Sequence, residues 1–141
     1  MDITVNYLAV LIAGVASMAV GFLWYSPAMF AKQWMKLSGI NEKDINQKQK
    51  EMGKLYGLSF ALSLVTAYVL FHVMAMSRAV FDYDPVMTGI TSAFWMWLGF
   101  VMPIQMTDFI FQGREMKLVM INTGYQLISL IAMGIVIGSF S

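Results

Sequence analysis

Charge is what this sequence has least of, and it is missing altogether from four long stretches. Aspartate, glutamate, lysine and arginine make up 12% of its 141 residues, whereas a soluble domain carries about 25%. None of the four residue types occurs within 3–31, 55–77, 85–107 or 118–141. Because the outer face of a water-exposed helix must be polar, these stretches exclude a soluble helical bundle.

Each charge-free stretch is long enough to cross a bilayer. The four contain 29, 23, 23 and 24 residues, and a helix spanning the hydrocarbon core needs about 20. We therefore expect an all-α, polytopic membrane protein with a bundle of four transmembrane helices, and a single domain over residues 1–141. The first stretch is not expected to be a cleavable signal peptide, because it opens on Asp2 and is too long.

Cysteine is absent and histidine occurs once, which excludes disulfides, thiolate ligands and a zinc cluster. The sequence has no phosphate-cradling glycine loop and no nucleophile with a base at a usable spacing, so an enzymatic role has no support. We expect no cofactor, no resident metal and no nucleic-acid partner. The pairs Met102–Met106 and Met116–Met120 suit Cu(I). With 14 methionines, however, chance gives nearly as many such pairs, and apolar filling explains them more simply.

The basic residues lie almost entirely on one side of the expected membrane. Eight of the nine fall in the first and third loops, and only Arg78 lies elsewhere. By the positive-inside rule, loops one and three face the cytoplasm and both termini lie outside the cell membrane. The eight residues are Lys32, Lys36, Lys43, Lys48, Lys50, Lys54, Arg114 and Lys117.

The first loop predicts a short amphipathic helix. Asn41 is expected to cap it with Asp44 at the third helical position, and Ile40 and Ile45 are spaced to pack across the first turn. The helix is expected to continue through 47–54 into the second span, with its lysines near anionic headgroups. A solvated helical extension and a dedicated lipid-binding surface are both compatible with this pattern.

Small residues recur four positions apart in two of the spans. Helices in lipid associate through close contact, which small side chains permit. The pattern does not say whether the partner helix belongs to the same chain or to another copy. The expected partners are therefore the lipid bilayer and either a second copy or another membrane protein. The helix-packing candidates are Ala9, Ala13, Ser17 and Gly21 in the first span and Gly134 and Gly138 in the fourth.

A cluster of aromatic residues, serine and proline ends the first span. The segment Gly21-Phe22-Leu23-Trp24-Tyr25-Ser26-Pro27, followed by Phe30 and Trp34, resembles the signature of small bacterial membrane proteins grouped as domain of unknown function 1761. Further matches to that pattern are Asn6, Trp97-Leu98-Gly99-Phe100, Gly113-Arg114 and Gly124-Tyr125. The resemblance covers nearly the whole chain. It implies one four-helix membrane domain and no particular activity.

Two polar positions are candidates for an ion or proton site. Asp108 lies near the end of the third span, and Gln105 and Thr107 beside it add oxygen atoms. The alternative is a carboxylate paired with a nearby basic residue such as Arg114. His72 is near the outer end of the second span, and histidine can titrate or bind a metal. The alternative is that His72 is an amphipathic residue at the membrane interface with no such role.

The tryptophans and tyrosines divide into two groups. Trp24, Tyr25, Phe30 and Trp34 are expected to form an aromatic belt at the membrane interface. Trp95 and Trp97 fall nearer mid-membrane, where a buried indole nitrogen needs an acceptor. The fourth span can supply one; the alternative is a polar-lined cavity for a small ligand or a lipid headgroup. The polar residues there are Asn122, Thr123, Gln126 and Ser129.

Two classes of function remain. The first is an oligomeric structural or accessory membrane component, assembling through small-residue rows. The second is a homo-oligomeric channel or transporter for a small solute, proton or cation, with Asp108 and His72 on the route. Carriers and channels usually contain more intramembrane charge than this chain does, which favours the first class.

Overall fold

A computed structural model describes residues 3–41, 43–44 and 49–141, and helices account for most of them. The helices are α1 (Tyr7–Trp24), α2 (Ala31–Ser38), α3 (Gln49–Val80), α4 (Pro85–Met96), a π-helical turn (Trp97–Val101), α5 (Met102–Gln112) and α6 (Met116–Ser139). Four passes are long and apolar enough to cross a membrane: Tyr7–Trp24, Glu51–Val80, Pro85–Gln112 and Met116–Ser139. We call them spans one to four. The all-α, four-span prediction is confirmed.

The charge-free run 3–31 is not a single helix. Asn6 caps α1 by accepting a hydrogen bond from the Ala9 backbone N–H at 3.2 Å, and α1 ends at Trp24. Pro27 lies in the turn that follows, because proline lacks an N–H and cannot continue a helix. The separate helix α2 then runs along the first loop and ends at Gly39, whose φ of 75° is left-handed.

The predicted helix start in the first loop is present. The Asp44 backbone N–H donates to Asn41 Oδ1 at 2.9 Å, and the Asn41 N–H donates to Asp44 Oδ2 at 3.2 Å. This reciprocal pair is the arrangement of a capping box. Ile45, and with it the predicted packing on Ile40, lies outside the described residues, as do 46–48. From residue 49 onward the chain is helical and continuous with span two.

Span four is the centre of the bundle. Buried residues make up 39% of its apolar window but only 17% of that of span two. It contacts all three other spans, most extensively spans three and one. Residues near both chain termini and Arg78 line one cavity at one end of the bundle, which we call the terminal end. The opposite end, with Trp24 and α2, is the first-loop end.

Small residues allow the close contacts of span four. Gly89 of span three faces Gly134 backbone to backbone, so closely that a Cβ on either residue would overlap the other's carbonyl. A Cβ on Gly138 would lie 2.6 Å from the Pro85 carbonyl oxygen. On the other side, the buried Ser17 and Ser129 hydroxyl oxygens lie 2.7 Å apart. Both small-residue rows therefore pack within the chain.

Span three changes its helical pitch midway. The Met102 backbone N–H bonds to the Trp97 carbonyl, five residues back, so the segment between them forms a π-helical turn. Pro103 follows immediately; it has no N–H, and its ring would clash with the carbonyl four residues before it in a regular helix. The wider turn accommodates the proline without ending the span.

Candidate functional site

Three side chains from spans one and three converge on a short segment of span four, residues 121–125, which we call the docking segment. The Trp24 indole Nε1 donates to the Ile121 carbonyl oxygen at 3.1 Å. The Tyr25 hydroxyl donates to Asn122 Oδ1 at 2.6 Å. The Trp97 Nε1 donates to the Thr123 carbonyl oxygen at 2.8 Å. The end of span one and the π-helical turn are thus both fixed to the same stretch of span four.

Glycines make room for these aromatic rings. A Cβ on Gly124 would lie 3.2 Å from Trp24 Cζ2, which is closer than an ordinary van der Waals contact. A Cβ on Gly21 would lie 3.2 Å from the Tyr125 hydroxyl oxygen. The absence of a side chain at either glycine therefore lets spans one and four approach each other.

Aromatic contacts extend the site to α2. The Trp24 ring centroid lies 4.8 Å from that of Phe30. The Tyr25 ring makes edge contacts with Trp34 at 5.9 Å and with Tyr125 at 5.4 Å. The four residues predicted to form an interfacial belt thus pack against one another or against span four.

Ser26 and Pro27 shape the turn rather than contact span four. The Ser26 hydroxyl donates to the Leu23 carbonyl oxygen at 2.7 Å. The Ser26 backbone carbonyl accepts hydrogen bonds from the Met29 and Ala31 backbone N–H groups. Pro27 is exposed. This turn redirects the chain from span one into α2, which brings Trp34 back against Tyr25.

The acceptors for the two indoles are main-chain carbonyls. A carbonyl oxygen has two lone pairs, so one inside a helix can accept a side-chain donor as well as its helical partner. The expected acceptor region for Trp97 was span four, and Thr123 is its partner through the backbone. The Thr123 hydroxyl itself donates to the Val119 carbonyl at 2.8 Å. Trp95 instead is 66% exposed on the outside of the bundle.

A cleft opens beside this site, between spans one and two at the first-loop end. We call it the tyrosine cleft; its volume is about 240 Å³. Hydroxyl groups of Tyr25, Tyr56, Ser59 and Tyr125 and apolar side chains of Met18 and Phe22 line it. The Phe22 and Tyr56 rings meet edge to face at 5.2 Å. No sequence motif predicts this cleft, because its residues come from span one and the turn after it, from span two and from span four.

Asp108, Gln105 and Thr107 do not form one enclosed oxygen site. Asp108 and Thr107 are exposed, and the Thr107 hydroxyl donates to the Pro103 carbonyl at 2.8 Å. The Gln105 Oε1 atom, in contrast, is buried and accepts no hydrogen bond from the residues that the structure describes. The expected alternative partner Arg114 donates through Nε to Gln112 Oε1 at 3.3 Å.

His72 and Asp108 lie towards opposite ends of the bundle. Its Nδ1 is 2.9 Å from the Tyr68 carbonyl oxygen, and because a carbonyl only accepts, Nδ1 carries the proton. Its ring packs on that of Tyr68 at 4.5 Å. His72 belongs to the terminal-end half of span two, whereas Asp108 is near the first-loop end of span three. Within the described ranges, no three His, Asp or Glu side chains gather into a metal site.

Five residues of this site, Trp24, Tyr25, Trp97, Gly124 and Tyr125, are among those that carry the family resemblance. A family model described as "protein of unknown function (DUF1761)" matches residues 8–138. The chain belongs to this family. The match covers all four spans and confirms the resemblance noted from the sequence. No curated protein and no solved structure matches the chain. Since the family is defined without an activity, function has to be argued from the geometry.

Proposed function

We propose that this protein is a structural or accessory component of the cell membrane that forms homo-oligomers through the outer face of span two. Both small-residue rows pack inside the chain, so an assembly has to use another surface. Span two is the least enclosed of the four spans. The outward side chains of span two therefore offer the most exposed surface for contact with a second copy.

The proposal rests on a row of large, exposed apolar residues that follows a heptad repeat along span two. From Leu55 to Val69 successive members are separated alternately by three and four residues, the spacing of a left-handed helix–helix seam, and Met76 follows Val69 after seven. Membrane helices commonly pack with this same geometry. We call this row the span-two seam. Its members are between 45% and 60% exposed: Leu55, Leu58, Leu62, Val65, Val69 and Met76.

Grooves on both sides of the seam offer space for a partner helix. One, of about 480 Å³, lies towards span one and is lined by Leu11, Leu64 and Val65. The other, of about 250 Å³, lies towards the π-helical turn and is lined by Val65, Val69 and Phe100. A seam residue from a second copy would fit these grooves as a knob fits a hole.

The interior of the bundle supports a structural role over transport through a single copy. Its buried polar side chains, among the described residues, are the uncharged Ser17, Thr88, Ser92, Thr123 and Ser129. Ion and proton routes are lined by ionisable groups or water-filled cavities. Backbone contact between Gly89 and Gly134 occupies the space where such a route would run between spans three and four.

The second candidate function is a homo-oligomeric channel or transporter for a small solute, proton or cation. One observation favours it: the buried Gln105 Oε1, which has no hydrogen-bond partner among the described residues, lies one turn from the exposed Asp108 on the same helix. In an oligomer both groups would contribute to a route between copies rather than through one copy.

We further propose that loops one and three face the cytoplasm and that both termini lie outside. The fold supports this orientation, because it groups Lys32, Lys36 and Lys54 with Arg114 and Lys117 at the first-loop end. Arg78 is at the terminal end. The positive-inside rule assigns the end with more basic residues to the cytoplasm.

Cysteine scanning tests the proposed assembly directly, since the natural chain has no cysteine. We expect Leu58→Cys, Leu62→Cys and Val65→Cys to form disulfide-linked dimers in oxidised native membranes. The matched control is Val15→Cys, which is similarly exposed at 53% but lies on span one. It should form few dimers. Equal yields from seam and control positions, or no dimers from the seam, would show that this face contacts lipid only.

A further inference from the structure

The tyrosine cleft is bounded on its mid-membrane side by a close approach of spans one and two. Spans one and two approach closely at Gly14, where a Cβ would lie 2.8 Å from Leu64 and 3.4 Å from Phe60. One turn nearer the first-loop end, Met18 and then Phe22 of span one line the cleft together with Tyr56 and Ser59 of span two. The cleft therefore lies on the first-loop side of this close approach.

Four hydroxyl-bearing residues line this cleft, and only the Tyr25 hydroxyl bonds to another residue that the structure describes. The Tyr25 hydroxyl is committed to Asn122 at 2.6 Å. The Tyr125 hydroxyl lies over Gly21 and borders the cleft, and it makes no hydrogen bond to another residue that the structure describes. Ser59 and Tyr56 face it from span two and are exposed. Because these hydroxyl groups can each donate a hydrogen bond, the site favours a ligand with acceptor oxygens.

The residues around the tyrosine cleft indicate which chemical class of ligand it binds. The cleft lies between two membrane spans and is bordered by exposed rings, with Phe22 55% and Tyr56 43% exposed, so its occupant also meets apolar walls. It is at the first-loop end, where Lys32 and Lys54 are exposed. Basic residues at a membrane surface attract anionic headgroups.

We infer that the tyrosine cleft binds the headgroup of an anionic phospholipid. The phosphate oxygens accept hydrogen bonds from the hydroxyls of Tyr125 and Ser59, and the glycerol and upper acyl chain pack on Met18 and Phe22. Gly21 keeps the floor of the cleft open below the Tyr125 hydroxyl. The site is independent of the proposed assembly, since the seam residues Leu62 and Val65 do not line it.

Native mass spectrometry in mild detergent measures this binding. Purified protein is mixed with phosphatidylglycerol, with zwitterionic phosphatidylcholine or with inorganic phosphate alone. We expect one phosphatidylglycerol retained per chain, in preference to phosphatidylcholine, and no retention of phosphate. Tyr125→Phe is expected to weaken that retention about tenfold, as loss of a hydrogen bond to a charged group does. Its thermal stability should be unchanged, because the hydroxyl has no partner within the described protein.

Two further variants complete the test. Ser59→Leu fills the cleft from an exposed position and should abolish the retention of phosphatidylglycerol. Tyr83→Phe is the control: this residue is 51% exposed in the second loop, and its replacement should leave retention unchanged. Equal phosphatidylglycerol binding by wild type, Tyr125→Phe and Ser59→Leu would overturn the assignment. So would retention of both lipids alike, or of free phosphate in place of lipid.

Discussion

Replacing Gly134 by alanine is expected to lower the free energy of unfolding by about 3 kcal/mol, the upper end of what overpacking usually costs. The added Cβ would overlap the main-chain carbonyl of Gly89 and lie 3.0 Å from its Cα. Backbone atoms cannot rotate away as a side chain can, so spans three and four would have to separate. Thermal or denaturant unfolding in detergent measures the change.

Gly57→Ala is the matched control for this prediction. No described atom lies within 4 Å of a Cβ built at Gly57, which is in the exposed part of α3. Alanine in a helix interior is more favourable than glycine by about 0.5–1 kcal/mol, so this variant should be slightly stabilised. If Gly134→Ala were as stable as Gly57→Ala, spans three and four would not meet at Gly89.

Removing the Trp24 side chain is expected to have a similarly large effect. Trp24→Ala deletes the indole that packs on Gly124 and Phe30 and donates to Ile121. Truncating a fully buried tryptophan costs about 3–5 kcal/mol, and because Trp24 is partly buried we expect a loss at the lower end of that range. Trp24→Phe keeps most of the packing but loses the hydrogen bond, and should cost about 1 kcal/mol. Unfolding of both variants in detergent separates the loss of packing from the loss of the hydrogen bond.

Trp95→Ala provides the control, because that ring is 66% exposed on the outer surface of span three. It removes a side chain of the same size without breaking a contact to the docking segment, and we expect little loss of stability. Equal destabilisation by Trp24→Ala and Trp95→Ala would mean that Trp24 serves only as an interfacial anchor.

The four-span fold could be predicted because its cause acts along the whole chain. Lipid excludes charge from any helix that it surrounds, so long charge-free runs mark the spans without reference to neighbouring residues. Helix ends are set more locally. The run 3–31 has no charge to mark the end of α1, and Pro27 was the one local sign that the helix stops and α2 begins separately.

The docking segment was harder to predict from the sequence. Trp24 and Trp97 bond to backbone carbonyls at Ile121 and Thr123, and every residue has a carbonyl, so side-chain chemistry does not identify the acceptor. Likewise, the GxxxG motif at Gly134 predicts a close approach but does not name the partner. Gly89, which supplies that partner, follows four residues after Pro85 without a repeat to mark it. The ion-site role of Asp108 and His72 stays a prediction.

A cysteine pair at Ser17 and Ser129 gives the most direct test of the central claim, that the small-residue rows pack within one chain, here the row of span one against span four. The two hydroxyl oxygens lie 2.7 Å apart, so sulfur atoms in their place are within reach of a disulfide. In oxidised membranes we expect Ser17→Cys with Ser129→Cys to form a bridge within the chain. On a non-reducing gel it would run as a monomer with both thiols protected from alkylation. Disulfide-linked dimers from the same pair would contradict the account, because the rows would then join different copies.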